Sequence, residues 1–407
     1  MKNTSLSIVA LASVASALTA MPASAQELQR GETVLQRPRP EVEQLGVRAG
    51  SFVFLPRLEV GETYDSNVFL TENNTQSDWV FVARPSLDVR SDFSSHALNF
   101  SASADAGRYH EFSSENYTDY RVGAGGRFDV ARETAVSGDV FHRRLHEGRN
   151  DPDGPIGTVG EPIVYNLSGG EVALAQGFNR IRTRLSAQAG YYDFESQAND
   201  RDRWEYGTSL RVGYDLGTGY QPFVQGTYAW TNYENAARDA DGWELVAGTT
   251  FDLTGLITGE VYAGYMTRQY DNAALRDFSG LALGGQVNWA VTQLTTLSAR
   301  ASRHVRETGT GSALGGASSY TRTIGALGVD HELLRNLLLN GRLQWRQDDF
   351  RGIDRTDNVY TAGVGATYLI NRYLYLTGGY TYETRRSDRA NADYKDNLLF
   401  LRVGAQM

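Results

Sequence analysis

The sequence predicts an all-β chain, a transmembrane antiparallel up-and-down β-barrel of about eighteen strands, with about sixteen as the alternative count. Three observations carry that prediction. From about residue 53 onward, apolar and polar residues alternate in segment after segment. The connections between segments are short and long in turn, and a short apolar stretch at the N-terminus reads as an export signal.

The export signal comes first in the chain. Lys2 supplies its positive charge, the run from Leu6 to Met21 is apolar and small, and Ala23–Ser24–Ala25 forms a small-x-small cleavage site. Residues 1–25 are therefore expected to be removed, with the mature chain starting at Gln26. The run is too short and too rich in Ala and Ser to anchor a chain in a bilayer. Residues 26–50 lack strand alternation, and Pro38 and Pro40 discourage regular structure, so they read as a periplasmic lead-in. Residues 51–407 are then the barrel.

Composition sets bounds on chemistry. The 407 residues include no cysteine, which removes disulfides, thiolate metal sites and a lipidated N-terminal cysteine. A net charge of −9 with no basic stripe excludes a general nucleic-acid binder. A mean hydropathy of −0.41 is what a soluble acidic protein shows, but also what a barrel shows, because half of each strand faces water. The pattern separates the two.

Successive side chains on a strand point to opposite faces. Leu185, Ala187, Ala189 and Tyr191 share one face, opposed by Arg184, Ser186 and Gln188. Leu339, Gly341, Leu343 and Trp345 oppose Asn340, Arg342, Gln344 and Arg346. Leu98, Phe100, Ala102 and Ala104 oppose Asn99, Ser101, Ser103 and Asp105. Helical periodicity does not compete over any long window.

Short connections are read near 90–95, 129–133, 177–179, 216–220, 252–255, 290–293, 331–336 and 370–372. Long polar ones lie between them, at 65–78, 111–116, 148–162, 195–201, 232–241, 271–277, 307–318, 347–357 and 385–393. Turns at one end and loops at the other are the layout of outer-membrane barrels. A Greek-key sandwich has no such rhythm. Aromatics such as Trp79, Phe81, Tyr191, Tyr228, Trp230, Tyr373 and Tyr375 gather toward segment ends, where interfacial girdles form.

Lipid leaves no sheet edge unpaired, so the last strand must pair with the first, near Leu55–Tyr64. Leu399, Leu401, Val403, Ala405 and Met407 form the lipid face of that closing strand and its assembly signal, with Arg402 and Gln406 inside. Outer-membrane assembly signals usually end in an aromatic; here Met407 stands in that place.

The predicted inward face is rich in guanidinium groups: Arg84, Arg121, Arg127, Arg182, Arg184, Arg211, Arg268, Arg300, Arg342, Arg346 and Arg402. Inward acids are fewer, among them Asp88, Asp105, Glu171 and Glu260. Such a wall would favour anionic solutes or acidic sugars, unless the arginines pair with inward acids and serve as bracing. The loop Gly148–Pro162 is expected to fold inward and narrow the passage.

No enzyme site is legible. His142 and His146 share a face with Arg144, but strand rise sets the two histidines about 13 Å apart, and a rim facing lipopolysaccharide explains them. His304 falls beside Arg300 and Arg306 on the inward face and reads as wall. "NDPDG" at 150–154 lacks the later glutamate of a calcium loop and suits a turn. No cofactor or metal is expected.

Two stretches, "RPRPEVEQLGVRAGSFVFLPRLEVGETYDSNVF" (37–69) and "SDWVFVARPSLDVRSDFSSHALNF" (77–100), resemble the opening of the β-barrel porin 2 family of Gram-negative outer-membrane proteins. The likeness continues more loosely through "ENYTDY" and "EPIVYNLSGG" and gives way to strand pattern beyond about residue 200. That resemblance implies an outer-membrane location, and a channel or accessory for exopolysaccharide or capsule export. The implied partners are lipid and lipopolysaccharide, the barrel assembly machinery, periplasmic export proteins and acidic polysaccharide. The alternative expectation is a general or solute-specific diffusion porin for small anions; an outer-membrane hydrolase is a remoter one.

Overall fold

Nineteen strands, numbered β1–β19 in chain order, form one antiparallel sheet in the computed structural model, which describes residues 33–154, 160–195, 200–308 and 317–407. The export signal and the first residues of the lead-in lie outside the described residues. From β2 (Phe52–Asp65) to β19 (Tyr394–Gln406) each strand pairs with the next, and β19 pairs back onto β2. The ring is therefore closed at eighteen strands, and no edge faces lipid. Leu398 lies opposite Asp65 and Gln406 opposite Arg57, so the seam joins nine residues of each strand.

Alternation sorts the two surfaces. On β19, Leu399, Leu401 and Val403 are 53%, 64% and 46% exposed, whereas Arg402 and Gln406 are 7% and 8% exposed. Across the ring the same inversion holds, with Leu58, Val140, Leu210, Leu281 and Leu343 bare on the outside. In water that would be a liability; in a bilayer it is the solvated face. Near the long-loop end, Tyr191, Trp204, Tyr206, Trp230 and Tyr228 stand ring against ring, with centroids 5.0–5.7 Å apart. Phe128, Phe178, Tyr214, Trp289 and Tyr373 are exposed near the short turns. These two rows are the interfacial girdles.

The short–long rhythm of connections holds except after β16, where the link is as short as the turn at 370–373. β16 (Leu337–Arg351) and β18 (Leu374–Ser387) run further than the polar sequence suggests, which shrinks the loop read at 347–357 to residues 352–355. Those strand ends project beyond the apolar band, where both faces can be polar.

The lead-in also departs from expectation. Val47–Ala49 is a short strand, β1, that pairs with β2, Val47 opposite Phe54. Gly46 and Gly50, with φ of +74° and +59°, supply the left-handed turns on either side. Three residues between two glycines are too few to show alternation.

Glycine is also required at the seam. A Cβ on Gly61 would lie 2.1 Å from the Leu401 carbonyl oxygen and 2.7 Å from the Arg402 Cα, both backbone atoms. Gly61→Val is therefore expected to destabilise closure by at least about 1–3 kcal/mol, the usual cost of overpacking. Heat-modifiable gel migration of the refolded protein checks this; a variant as folded and as heat-resistant as the parent would refute it.

Candidate functional site

The lumen is built from the faces opposite the exposed apolar rows. All eleven arginines singled out above stand on that parity. Eight of them meet a carboxylate. Arg84 binds Asp105 at 2.8 Å, Arg127 binds Asp129 at 2.8 Å, and Arg182 lies 3.4 Å from Glu133. Arg184 binds Glu171 at 2.6 Å, and Arg211 binds Glu260 at 2.7 Å. Arg268 binds Glu307 at 2.6 Å, Arg342 binds Asp330 at 2.6 Å, and Arg346 lies 3.3 Å from Asp348.

Arg121, Arg300 and Arg402 meet no carboxylate among the described residues. Arg121 lies opposite Arg143 on the next strand, so two guanidinium groups share one level. Arg402 is buried over the Phe400 ring, 4.3 Å from its centroid.

Across the lumen runs the loop between β6 (Thr134–Glu147) and β7 (Ile163–Phe178). Its described residues, 148–154 and 160–162, leave their own wall and are fastened from several sides. Arg149 is buried and clasps Glu115 at 2.7 and 2.8 Å, with its guanidinium 4.9 Å from the Phe69 ring centroid. The Asn150 carbonyl accepts from Arg346 Nη2 at 3.0 Å, and the Pro152 carbonyl accepts from Arg355 Nη1 at 3.4 Å. Asp153 accepts from the Thr308 hydroxyl and lies 3.9 Å from Arg201. Arg346 sits on β16, nine strands on from β7 in a ring of eighteen. That is the opposite side of the barrel. Residues 155–159, which complete this loop, lie outside the described residues.

The anchors are stiff. Asp348 is fully buried and takes Arg322 through both carboxylate oxygens, at 2.6 and 3.0 Å, while Arg346 approaches its second oxygen. Arg355 is clamped onto Asp357 and lies 4.3 Å from the Phe350 ring centroid. Arg201 is clamped by Glu147 at 2.6 and 2.8 Å and lies 4.1 Å from the Phe194 ring centroid. Charge-assisted bonds of this density fix the loop rather than tether it. Beside the loop lies a cavity of about 310 Å³, bordered by Asp151, Asp153, Arg203, Glu244, Arg268 and Tyr192.

A second crossing occupies the short-turn end. Val34 and Arg39 are fully buried, and Arg39 reaches Glu332 at 2.7 Å, while the Val34 N–H donates to the Thr296 hydroxyl at 3.0 Å. Thr296 is on β14 (Thr295–Glu307) and Glu332 on β15 (Ser319–Leu334), whereas the segment itself enters β2. Residues 33–46 therefore span a chord of the mouth, from β14 and β15 to β2, five to six strands away in the ring of eighteen.

The histidines form no catalytic set. His142 Nδ1 meets the Ser168 hydroxyl at 2.8 Å, and His146 Nδ1 meets Asp119 at 2.9 Å. Arg144 is tied to Glu195, and that guanidinium holds the loop carboxyl below its usual range. Among the described residues, no three His, Cys, Asp or Glu side chains are placed to hold a metal ion.

Sequence reading missed Arg201, Arg322, Arg355, Asp348 and Arg39 as elements of the lumen. The first four lie in or near long loops, where polar residues look merely solvated. Arg39 lies between two prolines, and only its burial marks it.

The sequence profile of a family described as Putative beta-barrel porin 2 matches residues 39–407. No curated protein matches the chain. Among solved structures, OpdL of Pseudomonas aeruginosa is similar at 13% identity and a TM-score of 0.46, over 88% of this chain and 100% of that one. OccK2 (OpdF) of the same organism is similar at 11% identity and a TM-score of 0.47, over 87% and 98%. OccAB3 of Acinetobacter baumannii is similar at 10% identity and a TM-score of 0.46, over 88% and 100%.

Proposed function

Because the chain belongs to the Putative beta-barrel porin 2 family of outer-membrane proteins, we propose that it is a narrow diffusion channel for small hydrophilic solutes. One observation carries this reading: the loop that spans the ring from β7's side to Arg346 and Arg355. A passage obstructed toward its long-loop end sorts solutes by size before charge acts on them. Its mechanism is passive, through fixed charges and a sized gap. Polysaccharide export is the other reading, but a lumen crossed by this loop offers a stiff polymer no straight path, so the small-solute reading takes precedence.

We infer a mild anion preference, resting on Arg121, Arg300 and Arg402 rather than on the whole set of inward arginines. A guanidinium beside its carboxylate adds little net field at a distance; one without a carboxylate adds a full charge. In planar bilayers at about 0.1 M salt, where the Debye length is about 10 Å, Arg121→Gln with Arg300→Gln is expected to move the reversal potential toward cations. Neutralising a pair, Arg342→Gln with Asp330→Asn, is expected to leave it in place. Equal shifts in the two variants would sink the assignment. Acidic oligosaccharides added to the same bilayers test the polymer reading, which predicts their passage where the small-solute channel predicts at most block.

A further inference from the structure

We propose that residues 33–46 are a strap that shuts the periplasmic mouth, and that Glu332 with Thr296 is the receptor site that latches it through Arg39 and Val34. The strap's chemistry suits this use. Arg37–Pro38–Arg39–Pro40 contains two prolines that fix φ and bring no N–H to satisfy, and each holds the residue before it extended. The prolines stand between a 3-10 turn at Val34–Gln36 and a turn in which the Val42 and Glu43 N–H groups donate to the Arg39 carbonyl, and a segment restrained in this way loses little conformational freedom when it docks.

The guanidinium of Arg39 is wrapped before it reaches the wall. It donates to the Arg37 carbonyl at 3.0 Å and the Val34 carbonyl at 2.7 Å, and on the barrel it donates to Glu332 at 2.7 Å. Glu332 is 3% exposed; its Oε2 takes Arg39 at 2.7 Å, and its Oε1 meets the exposed Arg335 at the longer distance of 3.5 Å, so the buried cation is the nearer partner. Away from the latch, the strap is held by the exposed pair of Glu41 with Arg335 at 3.1 Å, and by Arg57, which donates to half-buried Gln44 at 3.0 Å. Exposed pairs hold weakly. At the other end, the Gly46 turn and β1 tie the strap to β2. That arrangement is a hinge at one end and a releasable catch at the other.

The latch predicts two conductance levels in the full-length protein. Arg39→Gln and Glu332→Gln are each expected to lengthen the open level about ten-fold or more, because loss of a buried charge partner exceeds one decade in an equilibrium constant. The chain has no cysteine of its own, so Val34→Cys with Thr296→Cys gives a clean lock. Oxidised, this variant is expected to stay at the low level; reduced, it is expected to regain both levels. Folding is monitored separately by heat-modifiable migration. If Arg39→Gln and the oxidised and reduced lock all show the parent's conductance, the strap is no gate and the proposal falls. The channel reading of the preceding section would survive that result, because it rests on the other crossing.

Discussion

Removal of Asp151–Gly160 is expected to raise single-channel conductance several-fold and to admit solutes that the parent excludes. The expectation follows from where the loop is fastened. Asn150 and Pro152 are held by Arg346, on β16 across the ring from β7, and by Arg355 just beyond it, so cutting the loop removes an obstacle that lies across the lumen at its long-loop end. The strands themselves keep their register, since β6 and β7 pair from Thr134–Gln176 up to Glu147–Ile163 without needing the excised residues. Single-channel recording and liposome swelling with sugars of graded size check both parts. Unchanged conductance together with an unchanged size limit would show that the loop does not set the passage.

Asp348→Ala is expected to cost about 3–5 kcal/mol, the loss seen when one partner of a buried ion pair is removed and the other is left uncompensated. Here two guanidinium groups are left, those of Arg322 and Arg346, at 3% and 6% exposure. Arg346 would also lose its orientation toward Asn150, so the loop should loosen in the same variant. Asp349→Ala, one residue away, is the control. It faces Arg351 at 3.4 Å in an exposed pair, and such pairs contribute about 0–1 kcal/mol. Urea midpoints in detergent should differ widely between the two. Similar midpoints would mean that the Arg322–Asp348–Arg346 cluster is not structural.

Much of the fold was legible because a barrel writes itself locally. Alternation in "NLLFLRVGAQM" distinguishes Leu401 from Arg402 without knowledge of any partner strand, and short turns betray themselves by spacing. Strand ends were less legible. Asp348, Asp349 and Arg351 read as loop because β16 outruns the apolar band and loses its pattern there. β1 was invisible for lack of length.

The candidate site was legible only by halves. Parity placed arginines such as Arg184 and Arg342 on the inward face, but whether each meets an acid depends on register with a neighbouring strand. Glu171 reaches Arg184 because Gln188 and Ala175, not they themselves, are the directly opposed residues. Nothing in one strand states that offset. The inward course of 148–162 could be suspected from its length; its landing on β16 could not, because that contact joins residues 196 apart in sequence. Arg39 and Glu332, 293 apart, pose the same difficulty.

The inward loop has a mechanical consequence as well. A hydrogen-bonded cylinder resists stretching along its ladders but ovalises easily under uneven lateral pressure. A chord fastened to both sides acts as a tie-rod, and its ends here are ion-paired guanidinium groups at Arg149 and Arg346. Squashing the ring in that direction would have to bend the rod or tear it free. The same residues that narrow the lumen thus keep its outline round, and membrane tension should alter the passage less in the intact protein than in one whose loop has been cut.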